Sequence, residues 1–251
     1  MAKHSFPTDV VTLSVDIGGS GLKCALLNAT GEMISDRLRI DTPYPCPPER
    51  LISALRELTQ PLTGYHRMSV GFPGLVREGK VVNIPSLSKS TLEGEVDPLL
   101  VSAWHNFDLA KGLAEAFNVP IRVANDADVQ GSAVIQGHGL EFVMTLGTGC
   151  GAALFYEGKL LPHLELGHAP FRKGQSFEDQ IGNAARKEVG KERWIRRVRK
   201  AITAYDSFLF FDHIYIGGGN ARHLLDEDFG PNVTIVENTA GILGGIKIWE
   251  T

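Results

Sequence analysis

The chain predicts an α/β fold built twice over, and two observations carry that prediction. Apolar strand-like runs alternate with segments of helical periodicity along most of the sequence. A glycine-rich turn set between two apolar runs also occurs twice, about half the chain length apart: Asp16-Ile17-Gly18-Gly19-Ser20-Gly21 and Leu146-Gly147-Thr148-Gly149-Cys150-Gly151. Two hairpins on one plan imply a duplicated, two-lobed architecture.

The elements follow in order. Val10 to Val15 and Leu22 to Leu27 flank the first turn, and Asn28 to Gly31 leads into a third run, Met33 to Arg39, so the opening reads as a β-meander. Asp41 to Pro48 is a proline-rich loop. Leu51, Leu55 and Leu58 lie at helical spacing between flanking prolines and mark a helix of about three turns. Met68 to Gly71 returns as a strand. Leu109, Leu113 and Phe117 share one helix face within Asp108 to Phe117; Val119 to Ala124 reads as a strand and Ala127 to Gln136 as a helix. Phe142 to Leu146 and Ala152 to Phe155 flank the second turn. Beyond it, Phe177 to Val189 and Arg193 to Phe210 read as helices, His213 to Ile216 as a buried strand, and Thr239 to Trp249 as a closing helix. The division falls near His105 to Leu109. It gives a smaller first lobe, 1–107, rejoined by the last helix, 239–251, and a larger second lobe, 108–238.

Composition excludes several classes. A length of 251 residues with 43% hydrophobic and 22% charged residues suits a globular chain able to bury a core. Twenty-five basic against 29 acidic residues, a net charge of −4, argues against a nucleic-acid surface spread over the whole molecule. The three cysteines, Cys24, Cys46 and Cys150, are odd in number and lack CxxC spacing, which fits a reducing compartment better than a disulfide framework. No apolar run approaches the ~20 residues of a membrane span, and the first residues carry no leader-like apolar core, so a cytoplasmic protein without membrane partners is expected.

The glycine turns carry the chemistry. Glycine allows positive φ and close approach of a ligand, and consecutive exposed N–H groups form a concave anion site. Gly18, Gly19, Ser20 and Gly21 in one turn and Gly147, Thr148 and Gly149 in the other are therefore candidate phosphate contacts, with the Ser20 and Thr148 hydroxyls as further donors. Ordinary hairpin connection is the alternative. Gly217, Gly218 and Gly219 follow the His213 to Ile216 strand and precede a short helix, an arrangement that suits a nucleotide contact. Asp16 opens the first turn and could hold Mg²⁺ beside phosphates, directly or through water; a turn aspartate bonding its own backbone is the other reading. Lys23 either adds charge near the phosphates or is a solvated strand lysine.

Asp126 sits at the carboxyl end of the Val119 to Ala124 strand, where open α/β sheets place ligand-binding groups. A carboxylate there can take the proton of a hydroxyl as its oxygen attacks phosphorus. Alternatively Asn125 or Asp126 caps the following helix. Arg193, Arg196, Arg197 and Lys200 in the stretch 191–200 line one helix side, either as a seat for a polyanion such as polyphosphate or as a solvated face.

Six motifs occur in one order: Asp16 to Lys23, Gly71-Phe72-Pro73-Gly74, Asn125-Asp126-Ala127-Asp128, Leu146 to Gly151, Glu165-Leu166-Gly167-His168 and Gly217-Gly218-Gly219. This pattern resembles the ROK family of bacterial sugar kinases, and within it the branch containing polyphosphate glucokinase. The resemblance runs nearly to the end of the chain, to Gly241 to Gly245. It implies an actin-like ATPase (ribonuclease H-like) fold with a central cleft that closes over its substrates. It also implies transfer of a phosphoryl group from ATP or polyphosphate, with Mg²⁺, to the 6-hydroxyl of glucose or a related hexose. It assigns Asp126 as the catalytic base, Gly74, Asn125, Asp126, Glu165, His168 and Glu178 to the sugar, and makes a homodimer an expectation. Many members hold zinc through the ExGH histidine and a downstream cysteine cluster. Here Lys173 to Glu178 contains no cysteine, so no zinc site is expected at His168. The first strand begins near residue 10, which leaves no place for the helix-turn-helix of the repressor branch. Two rivals remain: a catalytically silent, sugar-responsive binding protein of the same fold, and an ATPase acting on something other than sugar.

Overall fold

The computed structural model describes residues 5–225, 229–236 and 243–249. The chain divides into two compact units, Met1–Ala133 with Gly241–Thr251, and Val134–Ala240.

In the first unit, β1 (Thr12–Ile17) and β2 (Leu22–Leu27) form the hairpin around the first glycine turn. With β3 (Leu38–Ile40), β4 (Arg67–Phe72) and β7 (Ile121–Asn125) they build a five-stranded sheet ordered β3-β2-β1-β4-β7, in which β1, β4 and β7 run parallel. Between β4 and β7 lie a small hairpin of β5 (Leu75–Arg77) and β6 (Lys80–Asn83), then α2 (Pro98–Trp104) and α3 (Leu109–Phe117). Strand alternation decides what each face carries. Leu13, Val15 and Ile17 of β1 join Leu51 and Leu55 of α1 (Pro48–Thr59) and Leu109 and Leu113 of α3 in one core. On the opposite face Ser14 and Ser69 are small, and the C-terminal 3₁₀ segment Gly244–Trp249 packs there against β1, β4 and α4 (Asp126–Ser132). Ser69 donates to the Gly245 carbonyl at 2.5 Å, and a side chain at Gly245 would collide with Ser14.

The second unit repeats this plan. β8 (Leu140–Leu146) and β9 (Cys150–Tyr156) form the hairpin around the second glycine turn, and the sheet runs β10-β9-β8-β13-β14, with β10 at Lys159–Leu160, β13 at His213–Gly217 and β14 at Val233–Ile235. β8, β13 and β14 are parallel, as β1, β4 and β7 are. Each glycine turn thus joins the central strand of its sheet to an antiparallel neighbour. β11 (Pro170–Arg172) and β12 (Gln175–Ser176) make a short hairpin before α5 (Phe177–Ile181), α6 (Asn183–Val189) and α7 (Lys191–Leu209). Phe177 stacks on Tyr205 at 4.0 Å and on Phe171 at 4.4 Å between ring centroids, above a core of Phe142, Met144, Trp194 and Val198.

Several sequence expectations are corrected. The run from Met33 is a strand only at Leu38–Ile40; before that a single bridge links Met33 to Leu27, and the Ser35 hydroxyl takes the Leu26 N–H that a strand carbonyl would otherwise accept. The helix expected over Phe177 to Val189 is two helices, broken at Gly182, whose backbone is extended (ψ 176°). The helix after β7 ends at Ser132, and the segment after Gly217-Gly218-Gly219 is only a 3₁₀ turn, Ala221–His223. The closing helix is 3₁₀ over Gly244–Trp249, while its expected start, 239–242, lies outside the described residues. The compact units meet after Ala133 rather than near His105 to Leu109, because β7 hydrogen-bonds to β4 and so belongs to the first sheet.

Candidate active site

In the first unit the predicted residues gather at the carboxyl ends of the parallel strands. Asp16, Gly71 and Ala124 are in register across β1, β4 and β7, so Asp16 and Asp126 stand at the same sheet end, roughly 10 Å apart by two strand spacings. Asp16 has a partner that the sequence reading lacked. Lys23, opposite it in the hairpin, places Nζ 2.7 Å from Asp16 Oδ2, with both side chains partly buried. Lys23 is therefore not a freely solvated lysine.

The first turn is tied back by its carbonyls. Thr42 donates to Gly18 O at 2.6 Å, Tyr44 donates to Gly19 O at 2.7 Å, and the Arg39 guanidinium lies 3.4 Å from Ser20 O. Gly18 N–H bonds Gly21 O at 3.0 Å. Among the described residues no protein acceptor meets the N–H groups of Gly19 and Ser20. The loop keeps its donors and spends its acceptors, which is the polarity an anion requires.

The second turn follows the same rule with different residues. The Asn183 N–H is shared between Gly147 O (3.1 Å) and Thr148 O (3.2 Å), and the Asn220 side chain donates to Gly147 O at 2.9 Å. Arg186 fixes both asparagines, donating to Asn220 Oδ1 at 3.1 Å and to Asn183 Oδ1 at 3.0 Å. The N–H groups of Thr148 and Gly149 meet no protein acceptor among the described residues. Gly218 lies against this turn with φ +86°, and a Cβ there would come 2.5 Å from Leu146 O, so glycine is required both for conformation and for space. Gly217 pairs with Thr145. The third glycine cluster and the second turn are thus one assembly.

Asn125 and Asp126 both reach the start of α4. Asn125 is the buried cap of α4, its Oδ1 accepting the Ala127 N–H at 2.8 Å while its Nδ2 donates to Gly74 O at 3.1 Å. Gly74 and Asn125 are therefore brought together, by a structural bond. Asp126, in the first turn of α4, also accepts from Ala127 N–H, at 2.9 Å, and stays partly exposed. Since the cap is already supplied by Asn125, the Asp126 carboxylate is not required for it.

Glu165, His168 and Glu178 lie in the second unit, paired otherwise than their spacing suggests. Glu165 sits 3.6 Å from the buried His163, and His168 sits 3.9 Å from Glu178. Glu178 Oε2 also accepts the Cys150 N–H at 3.2 Å, which joins this segment to the end of the second glycine turn. Tyr205 donates to Leu166 O at 3.1 Å and holds the 3₁₀ turn Leu166–His168. Burial pushes the Cys150 thiol up to about 12, so it stays protonated and inert at neutral pH.

Sequence reasoning missed Thr42, Tyr44, Asn183, Arg186 and Asn220. Thr42, Tyr44, Asn183 and Asn220 act on turn carbonyls far away in sequence, Arg186 acts on the two asparagine side chains, and no local pattern marks them; only the Asn immediately after Gly217-Gly218-Gly219 lay next to a motif already singled out. Among the described residues no three His, Cys, Asp or Glu side chains converge as metal ligands, and no helix is long and apolar enough to cross a membrane.

Comparison with known proteins bears on the fold and the family. Over 245 residues, 92% of this chain and 88% of the relative, the sequence is 27% identical to a polyphosphate glucokinase of Mycobacterium tuberculosis (strain H37Rv). Over 157 residues it is 33% identical to an N-acetylmannosamine kinase of Escherichia coli (strain SE11), covering 61% of this chain and 50% of that one. The crystal structure of an inorganic polyphosphate/ATP-glucomannokinase from Arthrobacter sp. strain KM superposes with a TM-score of 0.80 at 26% identity, over 96% of this chain and 99% of that one. A ROK family glucokinase from Streptomyces griseus, in complex with glucose and AMPPNP, shares the fold at a TM-score of 0.72 and 16% identity, over 95% and 98%. The two-sheet architecture is accordingly the actin-like ATPase fold. The ROK family model matches residues 12–186, well over half of the sequence, and the chain belongs to the ROK family.

Proposed function

We propose that this protein is a sugar kinase that transfers a phosphoryl group from ATP or polyphosphate to the 6-hydroxyl of glucose or a close relative. The observation that carries this reading is the repeated glycine turn, tied back by its carbonyls in both units and presenting free N–H groups in both. The named relatives, polyphosphate glucokinase and polyphosphate/ATP-glucomannokinase, support the same class.

In this reading Asp126 accepts the proton of the sugar hydroxyl as its oxygen bonds to phosphorus and the donor's bridging P–O bond breaks. The charge that develops on the transferred group is met by fixed main-chain donors that need no reorganisation. Lys23, held by Asp16, adds a positive charge at the first turn. Gly74 and Asn125 shape the sugar side, and Glu165, His168 and Glu178 supply acceptors and donors to sugar hydroxyls. The donor set fits Mg²⁺ held chiefly by the donor's own phosphates: a single carboxylate, Asp16, stands beside the first turn with one oxygen committed to Lys23. Such an ion would neutralise phosphate charge, with Asp16 reaching it through water.

A matrix of glucose, mannose and N-acetyl hexosamines against ATP and polyphosphate tests the reading. Sugar phosphate should form with at least one hexose. Sugar binding without turnover for any pair, or ATP hydrolysis at the same rate with and without sugar, would overturn it.

A further inference from the structure

The network that fixes the second glycine turn continues outward from Arg186 to Lys191, Arg222 and His223, side chains for which the kinase mechanism has no use. Asn220 donates to Gly147 O, and Arg186 donates to Asn220. The His223 N–H in turn donates to the Asn220 carbonyl at 3.1 Å, so the imidazole stands one turn beyond Gly218 and Gly219. Arg222 is its neighbour and is exposed. Lys191, also exposed, opens α7 directly after Gly190, whose N–H bonds the Arg186 carbonyl at 3.1 Å. Burial, and then the charges of Arg186, Arg222 and Lys191, hold the His223 imidazole below its ordinary pKa. Its Nε2 is out of reach of solvent and has no hydrogen-bond partner among the described residues. The imidazole is thereby kept neutral, and the positive charges around it belong to Arg186, Arg222 and Lys191, an arrangement that suits a multivalent anion.

We propose that the exposed Lys191 and Arg222, ranged beside Arg186 and His223, form a seat for the distal phosphates of a linear polyphosphate donor whose reacting end lies at Gly147 to Gly149. The proposal rests on the kinase reading above for the position of that reacting end. Polyphosphate fits better than a nucleotide base, because the cluster offers an array of charges, whereas a base needs a flat apolar slot and a few directed hydrogen bonds. The basic stretch marked out in the sequence is less suited. Arg197 donates to Gln180 O at 3.4 Å, the Arg199 guanidinium lies 5.9 Å from the centre of the Phe229 ring, and Arg193, Arg196 and Lys200 are exposed on α7 opposite its buried Trp194 and Val198.

The test compares Lys191→Gln, Arg222→Gln and their double variant with a control carrying Arg193→Gln, Arg196→Gln and Lys200→Gln. All substituted side chains are exposed arginines or lysines. Two quantities are read for each: the ratio of the polyphosphate KM to the ATP KM, and direct calorimetric binding of long-chain polyphosphate. Each single variant should raise the KM ratio by about two- to fivefold and the double by about tenfold, with matching loss of binding and a weaker dependence on salt. The control should leave both readouts within about twofold of wild type. A double variant that binds polyphosphate as wild type does, equal effects on both donors, or a larger effect in the control would each overturn the seat. If neither donor phosphorylates any hexose while polyphosphate binding still falls in the double variant, the seat stands and the kinase reading fails. If ATP supports turnover and polyphosphate does not bind, the seat fails and the kinase reading stands.

Discussion

Replacing Asp126 by asparagine separates its proposed chemical role from its place at a helix start. Asn125 already supplies the α4 cap through a 2.8 Å bond to the Ala127 N–H, and an amide oxygen at position 126 can keep the 2.9 Å bond that Asp126 Oδ1 makes to the same group. At the cap itself the loss is one negative charge at the helix start, where Asp128 remains in the first turn, and that is worth about 0.3–1 kcal/mol. For a chain of this size it corresponds to a fall of roughly 1–4 °C in melting temperature. Loss of a general base lowers turnover by about 10²–10⁴, a rise in the barrier of roughly 3–5 kcal/mol. The two magnitudes differ enough for one variant to distinguish the roles. A coupled assay of sugar phosphate formation at saturating donor and acceptor, run beside a thermal melt, should therefore give a folded protein with turnover down at least about a hundredfold. Turnover within about threefold of wild type would show that the proton goes elsewhere, since a lost base costs far more. A large drop in melting temperature accompanying the loss would show that the carboxylate is structural.

Tyr44→Phe removes the hydroxyl that joins Gly19 O to Ser86 O. It should cost about 0.5–1.5 kcal/mol in denaturant titrations and raise the donor KM more than it lowers kcat, because the freed turn no longer presents its N–H groups in one geometry. The thiols of Cys24, Cys46 and Cys150 are buried and pushed up to about 11, 12 and 12, so iodoacetamide at pH 8 should label none of them in the native protein and all three in denaturant. Ser176→Ala removes the capping box of α5, in which Asp179 accepts from the Ser176 N–H and hydroxyl, and should lower the melting temperature at neutral pH. These bonds hold the Asp179 carboxyl below its ordinary value. The share carried by the Ser176 hydroxyl is present above the unfolded-state pKa and is lost as pH falls through the lower folded-state value, so the gap between the two melting curves should narrow in acid, leaving the part due to the Asp179 N–H bond to Ser176 Oγ.

Much of the fold was legible because it depends on short-range pattern. The apolar runs flanking each glycine turn became the paired strands β1–β2 and β8–β9, and the leucine spacing of 51, 55 and 58 became α1. Local pattern failed where a distant partner decides the conformation. A continuous helical periodicity over Phe177 to Val189 could not reveal the break at Gly182, where a side chain would come 2.8 Å from Glu178 O and 2.9 Å from Thr148 O. Nor could it show that β7 would hydrogen-bond to β4 and so move the division of the chain to Ala133.

At the site the division is similar. Composition, order and spacing marked the two glycine turns, Asp16, Asp126 and the third glycine cluster as candidates, because glycine and carboxylate carry their chemistry in the residue itself. Tertiary structure alone decided which groups meet: Lys23 with Asp16, the His168 imidazole with Glu178, and Asn125 with Gly74. It also decided the polarity of the turns, since only folding brings Thr42, Tyr44, Asn183 and Asn220 onto carbonyl oxygens and leaves the amides free. A sequence specifies which donors and acceptors exist, whereas hydrogen bonding is a matter of a few tenths of an ångström between groups that the chain separates by dozens of residues.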